Sequence, residues 1–176
     1  VGDQFTDIWG SGPDDIFAVS RVDDEGSGNR LGRVWHYDGA VWTKVYDAPV
    51  SMGSLNGVWG SGPANVFAVG DNGVVHFDGV AWTVICDPVI DPSFRDSLCD
   101  VWGSGPNSIF AVGTNGVVRH YDGATWTTMT RGLTGKLRGI WGSGPGDIFA
   151  AGITGILHYD GTAWSVMANN YDASFN

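Results

Sequence analysis

At 176 residues the chain is of single-domain size, and 28 Gly, nine Trp and only 16% charged residues suit many short strands joined by tight turns. The formal charge of −10 comes almost wholly from Asp, 18 of them against the single Glu25, with Lys44 and Lys136 the only lysines. No basic run is present to neutralise phosphates, which argues against duplex nucleic acid as partner, and no apolar stretch is long enough to cross a bilayer as a helix.

Two phrases organise the chain, and each occurs four times. The first is Trp-Gly-Ser-Gly-Pro, at Trp9–Pro13, Trp59–Pro63, Trp102–Pro106 and Trp141–Pro145, with Phe17, Phe67, Phe110 and Phe149 each eight residues after the Trp. The second is His-(Tyr/Phe)-Asp-Gly-x-x-Trp, running from His36 to Trp42, His76 to Trp82, His120 to Trp126 and His158 to Trp164. Repeat spacings of 50, 43 and 39 residues, with several short strands apiece, predict an all-β propeller rather than a helical solenoid.

Within each unit four strands follow in order, A to D from the propeller axis outward. Strand A runs into the first Trp, as in Leu55–Trp59 or Leu137–Trp141, and the Gly-Ser-Gly-Pro after it is expected to reverse the chain. Strand B, at Ile16–Val19, Val66–Val69, Ile109–Val112 and Ile148–Ala151, is apolar without alternation, as when both faces of a strand are covered. Strand C carries the His and ends at Asp-Gly, the strongest short hairpin signal, and strand D starts at the second Trp. This places four four-stranded blades at about 5–46, 55–86, 98–130 and 137–168 of one domain spanning 1–176, either a closed four-bladed ring or part of a larger propeller. Val1 in first place reads as a removed leader or as a piece of something longer. Ala168–Asn176 resembles the Asp87–Leu98 stretch, as though a fifth unit were about to begin.

All the length variation falls between strands B and C or between D and A. The first unit carries an insertion of about ten residues around Arg21–Gly32, and the D–A connections Val45–Ser54, Cys86–Ser97 and Met129–Lys136 differ from one another. In an up-and-down blade the A–B and C–D turns share one face, while the B–C and D–A loops share the other. The first face is then a repeated scaffold, and the second carries the individuality that binding sites exploit.

The units resemble bacterial secreted β-propeller repeats of the BNR/Asp-box-like kind, which share a Trp-containing first strand, a Phe-Ala-Val-Gly second strand and a terminal Asp-Gly…Trp hairpin. The likeness covers all four units. It departs from a true Asp-box, Ser/Thr-x-Asp-x-Gly-x-x-Trp, because Gly follows directly at Asp38, Asp78, Asp122 and Asp160 and a His stands two before each Asp. Asp-boxes are structural in sialidase-like enzymes, and such families include surface-exposed binding proteins and lectins as well as glycosidases. The resemblance thus implies a propeller in an extracellular or cell-surface setting, and it implies no active site.

Individual residues fall into place around that frame. The four His hold one repeated position, so blades separate them instead of converging them on one ion, and they read as structural. Trp35 stands where the other units have Val75, Arg119 and Leu157, and reads either as a shield for the inserted loop or as an aromatic platform for a ligand such as a sugar. The candidate contact residues on the variable-loop face are Arg21, Asp23, Asp24, Glu25, Asn29, Arg30 and Trp35 in the first unit, Asp87, Asp91, Arg95 and Asp96 in the second D–A loop, and Arg131 in the third. Asp23, Asp24 and Glu25 are a candidate Ca²⁺ cluster, though without the alternate ligand spacing of an EF-hand loop, and a solvated flexible loop accounts for the same residues. Cys86 and Cys99 lack metal-site spacing; in a secreted chain they read as a disulfide, otherwise as two reduced thiols. No carboxylate pair, nucleophile signature or phosphate-cradling loop is singled out, and no cofactor is implied. The reading is a non-enzymatic binding or adhesion module contacting protein or glycan through the loop face, with self-association if the propeller is incomplete. The alternatives are a lectin with repeated pockets between blades and a structural repeat of a surface filament.

Overall fold

The computed structural model describes residues 2–23, 26, 28–87, 90–92, 94–130 and 134–169. Within these residues sixteen strands form four antiparallel four-stranded sheets, each in plain sequential order. Blade 1 is β1 (Gln4–Gly12), β2 (Asp15–Asp23), β3 (Arg30–Tyr37) and β4 (Trp42–Asp47). Blade 2 is β5 (Leu55–Gly62), β6 (Asn65–Gly70), β7 (Gly73–Phe77) and β8 (Trp82–Cys86). Blade 3 is β9 (Leu98–Gly105), β10 (Ser108–Gly113), β11 (Val118–Tyr121) and β12 (Trp126–Thr130). Blade 4 is β13 (Leu137–Gly144), β14 (Asp147–Gly152), β15 (Gly155–Tyr159) and β16 (Trp164–Asn169). The first strands pack on one another in succession, β1 on β5, β5 on β9 and β9 on β13, so they form the inner edge of a propeller.

The unalternating apolar second strands are explained by their neighbours. Val66 and Ala68 pack with Phe17 and Val19 of blade 1, while Phe67 and Val69, one residue out of phase, pack with Val101, Ile109 and Ala111 of blade 3. The Asp-Gly hairpins form as expected. Asp38, Asp78, Asp122 and Asp160 each accept two backbone N–H bonds from the turn, and the glycine after each has φ between +91° and +99°. A Cβ on Gly39, Gly79 or Gly123 would strike Asp14, Ala64 or Asn107, so the A–B and C–D turns do sit together on one face. The repeated His ties strand C to the start of strand B. His36 bonds Asp15 at 2.7 Å, His76 bonds Asn65 at 2.6 Å and His158 bonds Asp147 at 2.9 Å, each ring lying over the Phe of its own blade.

Gly-Ser-Gly-Pro does not reverse the chain where the sequence suggested. Strand β1 continues to Gly12, Ser11 leaves the ladder as a bulge between Gly10 and Gly12, and the turn itself is Pro13–Asp14. The first glycine of the phrase has another use. The indole of Trp9 lies over Gly60, that of Trp59 over Gly103 and that of Trp102 over Gly142, and a Cβ at these glycines would stand 2.6–2.7 Å from the indole Cη2. Blades 1 to 3 thus each place their Trp on the bare backbone of the next.

Among the described residues the four blades do not close into a ring, and no packing comparable to β1 on β5 joins β13 to β1. The two ends agree with this. Gly10 is exposed and meets no indole, whereas Gly60, Gly103 and Gly142 are buried. Trp141 is 60% exposed, and Ile8 is 59% exposed where its counterparts Val58, Val101 and Ile140 are buried. The first insertion is also less of a loop than expected. Arg21, Val22 and Asp23 pair with Gly32, Leu31 and Arg30 as an extension of the β2–β3 hairpin.

Adding one methyl group tests the Trp-on-Gly contact. Gly103→Ala should destabilise the chain by ~1–3 kcal/mol through overpacking, while Gly10→Ala, with no indole above it, should fall within about 1 kcal/mol of the parent. Urea unfolding of the two variants measures the difference.

Candidate binding site

The variable-loop face is bound together by side chains that the sequence offered as free contacts. Arg21 donates from Nε to Gln4 Oε1 at 3.0 Å, and Arg30 pairs with Asp23 at 3.4 Å, both of this pair being exposed. Asn29 is exposed beside them. Asp24, Glu25 and Arg131 lie outside the described residues, as do residues 170–176 of the stretch expected to lead towards a fifth unit. Among the described residues no three His, Cys, Asp or Glu side chains gather as a metal site, and the Asp23 carboxylate faces Arg30. Deeper in blade 1, Arg33 joins Asp3 and Asp47, each at 3.1 Å.

The second D–A loop is organised by a residue the sequence reading passed over. Arg119, on β11, is 1% exposed. Its guanidinium stacks 4.0 Å from the centre of the Phe94 ring and faces Asp91 at 4.0 Å and Asp96 at 3.8 Å. Asp96 is itself buried. A guanidinium taken out of water needs such carboxylates around it, so Arg119 fixes the loop from beneath. At the loop's start Asp87 accepts the Ile90 N–H at 2.7 Å, and at its far side the exposed Arg95 donates to the Pro92 carbonyl at 2.9 Å. The signal available in the sequence was a charged residue at a position that is Trp35, Val75 and Leu157 elsewhere, but its acidic partners lie 23 and 28 positions away in an irregular loop. Asp71, in the β6–β7 turn, is a second staple. It accepts bonds from the Ser54 N–H, Asn56 Nδ2 and Ser97 Oγ and so joins three connections of the same face. Burial pushes its pKa up, but these bonds outweigh it and hold the carboxyl below the ordinary range.

Cys86 and Cys99 are both free thiols, so the disulfide expected of a secreted chain is absent. The cause is topological. Cys86 ends β8, the outermost strand of blade 2, while Cys99 sits on β9, the innermost of blade 3. Burial pushes the Cys86 thiol up to about 12, which leaves it unreactive.

Two carboxylates cross between first strands near the inner edge. Asp7 accepts the Val58 N–H of blade 2 at 2.8 Å as well as its own Ile8 N–H, and Asp100 accepts the Ile140 N–H of blade 4 at 2.8 Å and the Val101 N–H. Burial pushes Asp100 up to about 6; its two N–H bonds oppose the rise and the charge of Asp7 adds to it. Asp7 is raised for the same first reason.

Several concavities lie among the described residues. One, of about 640 Å³, is a groove on the open side of blade 1 lined by Phe5, Thr6, Asp7, Ile8, Ala18, Trp35 and Trp42. Trp35 forms part of its wall, edge-on to Phe5 at 6.1 Å, with a buried Nε1 that lacks a hydrogen-bond partner. Two more are equivalent clefts between blades. One, of about 510 Å³, includes Asp15, Phe17, His36, Pro63 and Phe77, and the other, of about 420 Å³, includes the counterparts Asn65, Phe67, His76, Pro106 and Tyr121.

No protein-family model matches the sequence, and no curated protein matches it. Solved structures do match in fold. A structure of YCF48 bound to D1 peptide superposes with a TM-score of 0.64 at 18% identity, covering 93% of this chain and 54% of that one. YCF48 from Cyanidioschyzon merolae gives a TM-score of 0.60 at 16% identity, covering 97% and 57%. The chain therefore spans about half the length of the structures it matches, and at these identities the likeness shows the propeller fold alone.

Asp100 gives the chain a pH dependence of defined sign. Because its pKa is raised in the folded state, the folded protein holds a proton between pH 4 and 6 that the unfolded chain has released, so its contribution to stability falls as pH rises through that window, by roughly 2–3 kcal/mol. His76 and His120, whose pKa values burial lowers, act in the opposite direction, so the comparison must isolate Asp100. The unfolding free energy of the parent, relative to Asp100→Asn, should decline from pH 4 to pH 7. A flat difference would contradict the assignment.

Proposed function

We propose that the chain is a non-enzymatic binding module that engages a protein partner through its B–C and D–A loop face. The observation that carries this is Arg119. Propeller packing does not require an arginine there, since Trp35, Val75 and Leu157 fill the same place, and a buried ion cluster adds no stability that an apolar side chain would not. What the cluster adds is a fixed arrangement of this connection's described residues: Arg119 holds Asp91, Phe94 and Asp96 from below, while Ile90, 59% exposed, and Arg95 face solvent. A loop ordered before binding loses little entropy on binding, which is what a specific contact surface needs. YCF48, of the same fold, has been solved with a bound peptide, which supports a polypeptide partner.

A second reading is favoured by the paired clefts between blades 1 and 2 and between blades 2 and 3. Their repeated His, Asp or Asn and aromatic residues suit a small polar ligand such as a sugar, bound once per junction. An extracellular or cell-surface setting remains part of the proposal on the strength of the sequence resemblance; the two free thiols do not depend on an oxidising compartment.

A displayed library of short peptides, selected against the 176-residue chain, tests the first reading. Enriched peptides should lose roughly ten-fold in affinity, about 1.4 kcal/mol, on Ile90→Ser with Arg95→Ala, exposed changes that leave unfolding as in the parent. They should lose as much on Arg119→Leu with Asp96→Asn, which loosens the loop without stranding a buried charge. Peptides that bind all three proteins alike, or no enrichment, would overturn the loop-face reading; saturable binding of monosaccharides in the same titration would favour the clefts.

A further inference from the structure

The two ends of the array differ from its interior in a matched way. The side of blade 4 that faces outward carries Trp141, 60% exposed, and Ile156, 38% exposed, while their counterparts Val34, Val74 and Val118 of Ile156 are fully buried against the next blade. The outward side of blade 1 carries Ile8 and Trp42, 59% and 44% exposed, and the bare, exposed Gly10, whose counterparts Gly60, Gly103 and Gly142 each lie under an indole. One end is a Trp with no glycine to cover. The other is a glycine with no Trp above it, set beside the groove of about 640 Å³.

A polar pattern carries the match further. Two residues before the repeated Trp, the blades read Asp7, Gly57, Asp100 and Gly139. At the first and third junctions the Asp accepts an N–H from the following blade, Val58 for Asp7 and Ile140 for Asp100. At the second junction the roles alternate: Gly57 leaves room for Asp100, whose Cα lies 3.0 Å from where a Cβ on Gly57 would stand, and Asp100 bonds its own blade's Val101 N–H. Gly139 followed by Asp7 would repeat that second junction, and Asp7 already bonds the Ile8 N–H as Asp100 bonds Val101.

We propose that these two faces are the halves of a fourth junction, and that blade 4 of one copy docks on blade 1 of a second copy, head to tail, with the Trp141 indole over Gly10. The occupant of each face is thus a blade of this same repeat. Three examples of the junction inside the chain define its chemistry, and the alternation of Asp and Gly sets its register. Such a contact is heterologous, so it closes a ring or extends a filament according to the rotation per copy.

Sedimentation of the 176-residue chain over a range of concentrations tests this. The parent should pass from an 18.7 kDa monomer to dimers or larger assemblies. Trp141→Ala removes the indole and Gly10→Ala places a methyl group beneath it; each variant should remain monomeric at every concentration, with parent-like circular dichroism and thermal unfolding. Each keeps the half that the other lacks, so an equimolar mixture should form 1:1 dimers and nothing larger. A parent that stays monomeric throughout, variants that assemble as the parent does, or a mixture no more associated than its components would each overturn the proposal. Peptide binding by the loop face is read separately, since neither substitution touches that face.

Discussion

A tryptophan ring resting on the main chain of the next blade is the contact from which the rest of this fold follows. It needs a glycine, because a single Cβ would stand well inside van der Waals distance of the indole, and it needs that glycine one place after the next blade's own Trp. The order Trp-Gly therefore serves two junctions at once: the Trp covers the glycine ahead, and the glycine receives the Trp from behind. Phe17, Phe67 and Phe110 extend the same contact surface, buried and in ring contact with the His of their own blades. A repeat built on this interaction has no self-sufficient unit, as expected where each repeat buries its face only on its neighbour.

With the junctions carried by aromatic and glycine residues, the polar residues divide into two sets. One set closes local geometry: Asp in the C–D turns, His to the start of strand B, Asp7 and Asp100 across the first strands. The other, Asp71 and the Arg119 cluster, holds the loops of a single face in place at some cost in buried charge. Stability alone gives no reason for the buried Arg119 cluster, and this is what points to a contact surface there.

The sequence revealed the fold far more readily than the site. Strand content, strand order, the Asp-Gly hairpins and the division into a constant and a variable face were all legible, because they rest on local periodicity and on comparison among four copies. The Gly-Ser-Gly stretch reads as a turn within one unit, and its partner, an indole 40 to 51 residues earlier, is visible only once the blades are stacked. The same holds for Arg119, whose carboxylates come from a loop without regular structure, and for Cys86 and Cys99, near in sequence but held at opposite edges of their sheets. Arg21, Asp23 and Arg30 looked like free contacts because pairing along an extended hairpin cannot be told from a loop by composition.

The indole-on-glycine contact is tested most directly by a double-mutant cycle in urea unfolding, on Trp59→Ala and Gly103→Ala. If the indole is what a methyl group at 103 would strike, then Gly103→Ala is costly in the parent and close to neutral once Trp59 is gone, with a coupling of about 1 kcal/mol or more. Costs that simply add would show that the two residues do not meet as described, and the account of the junctions would fail with them.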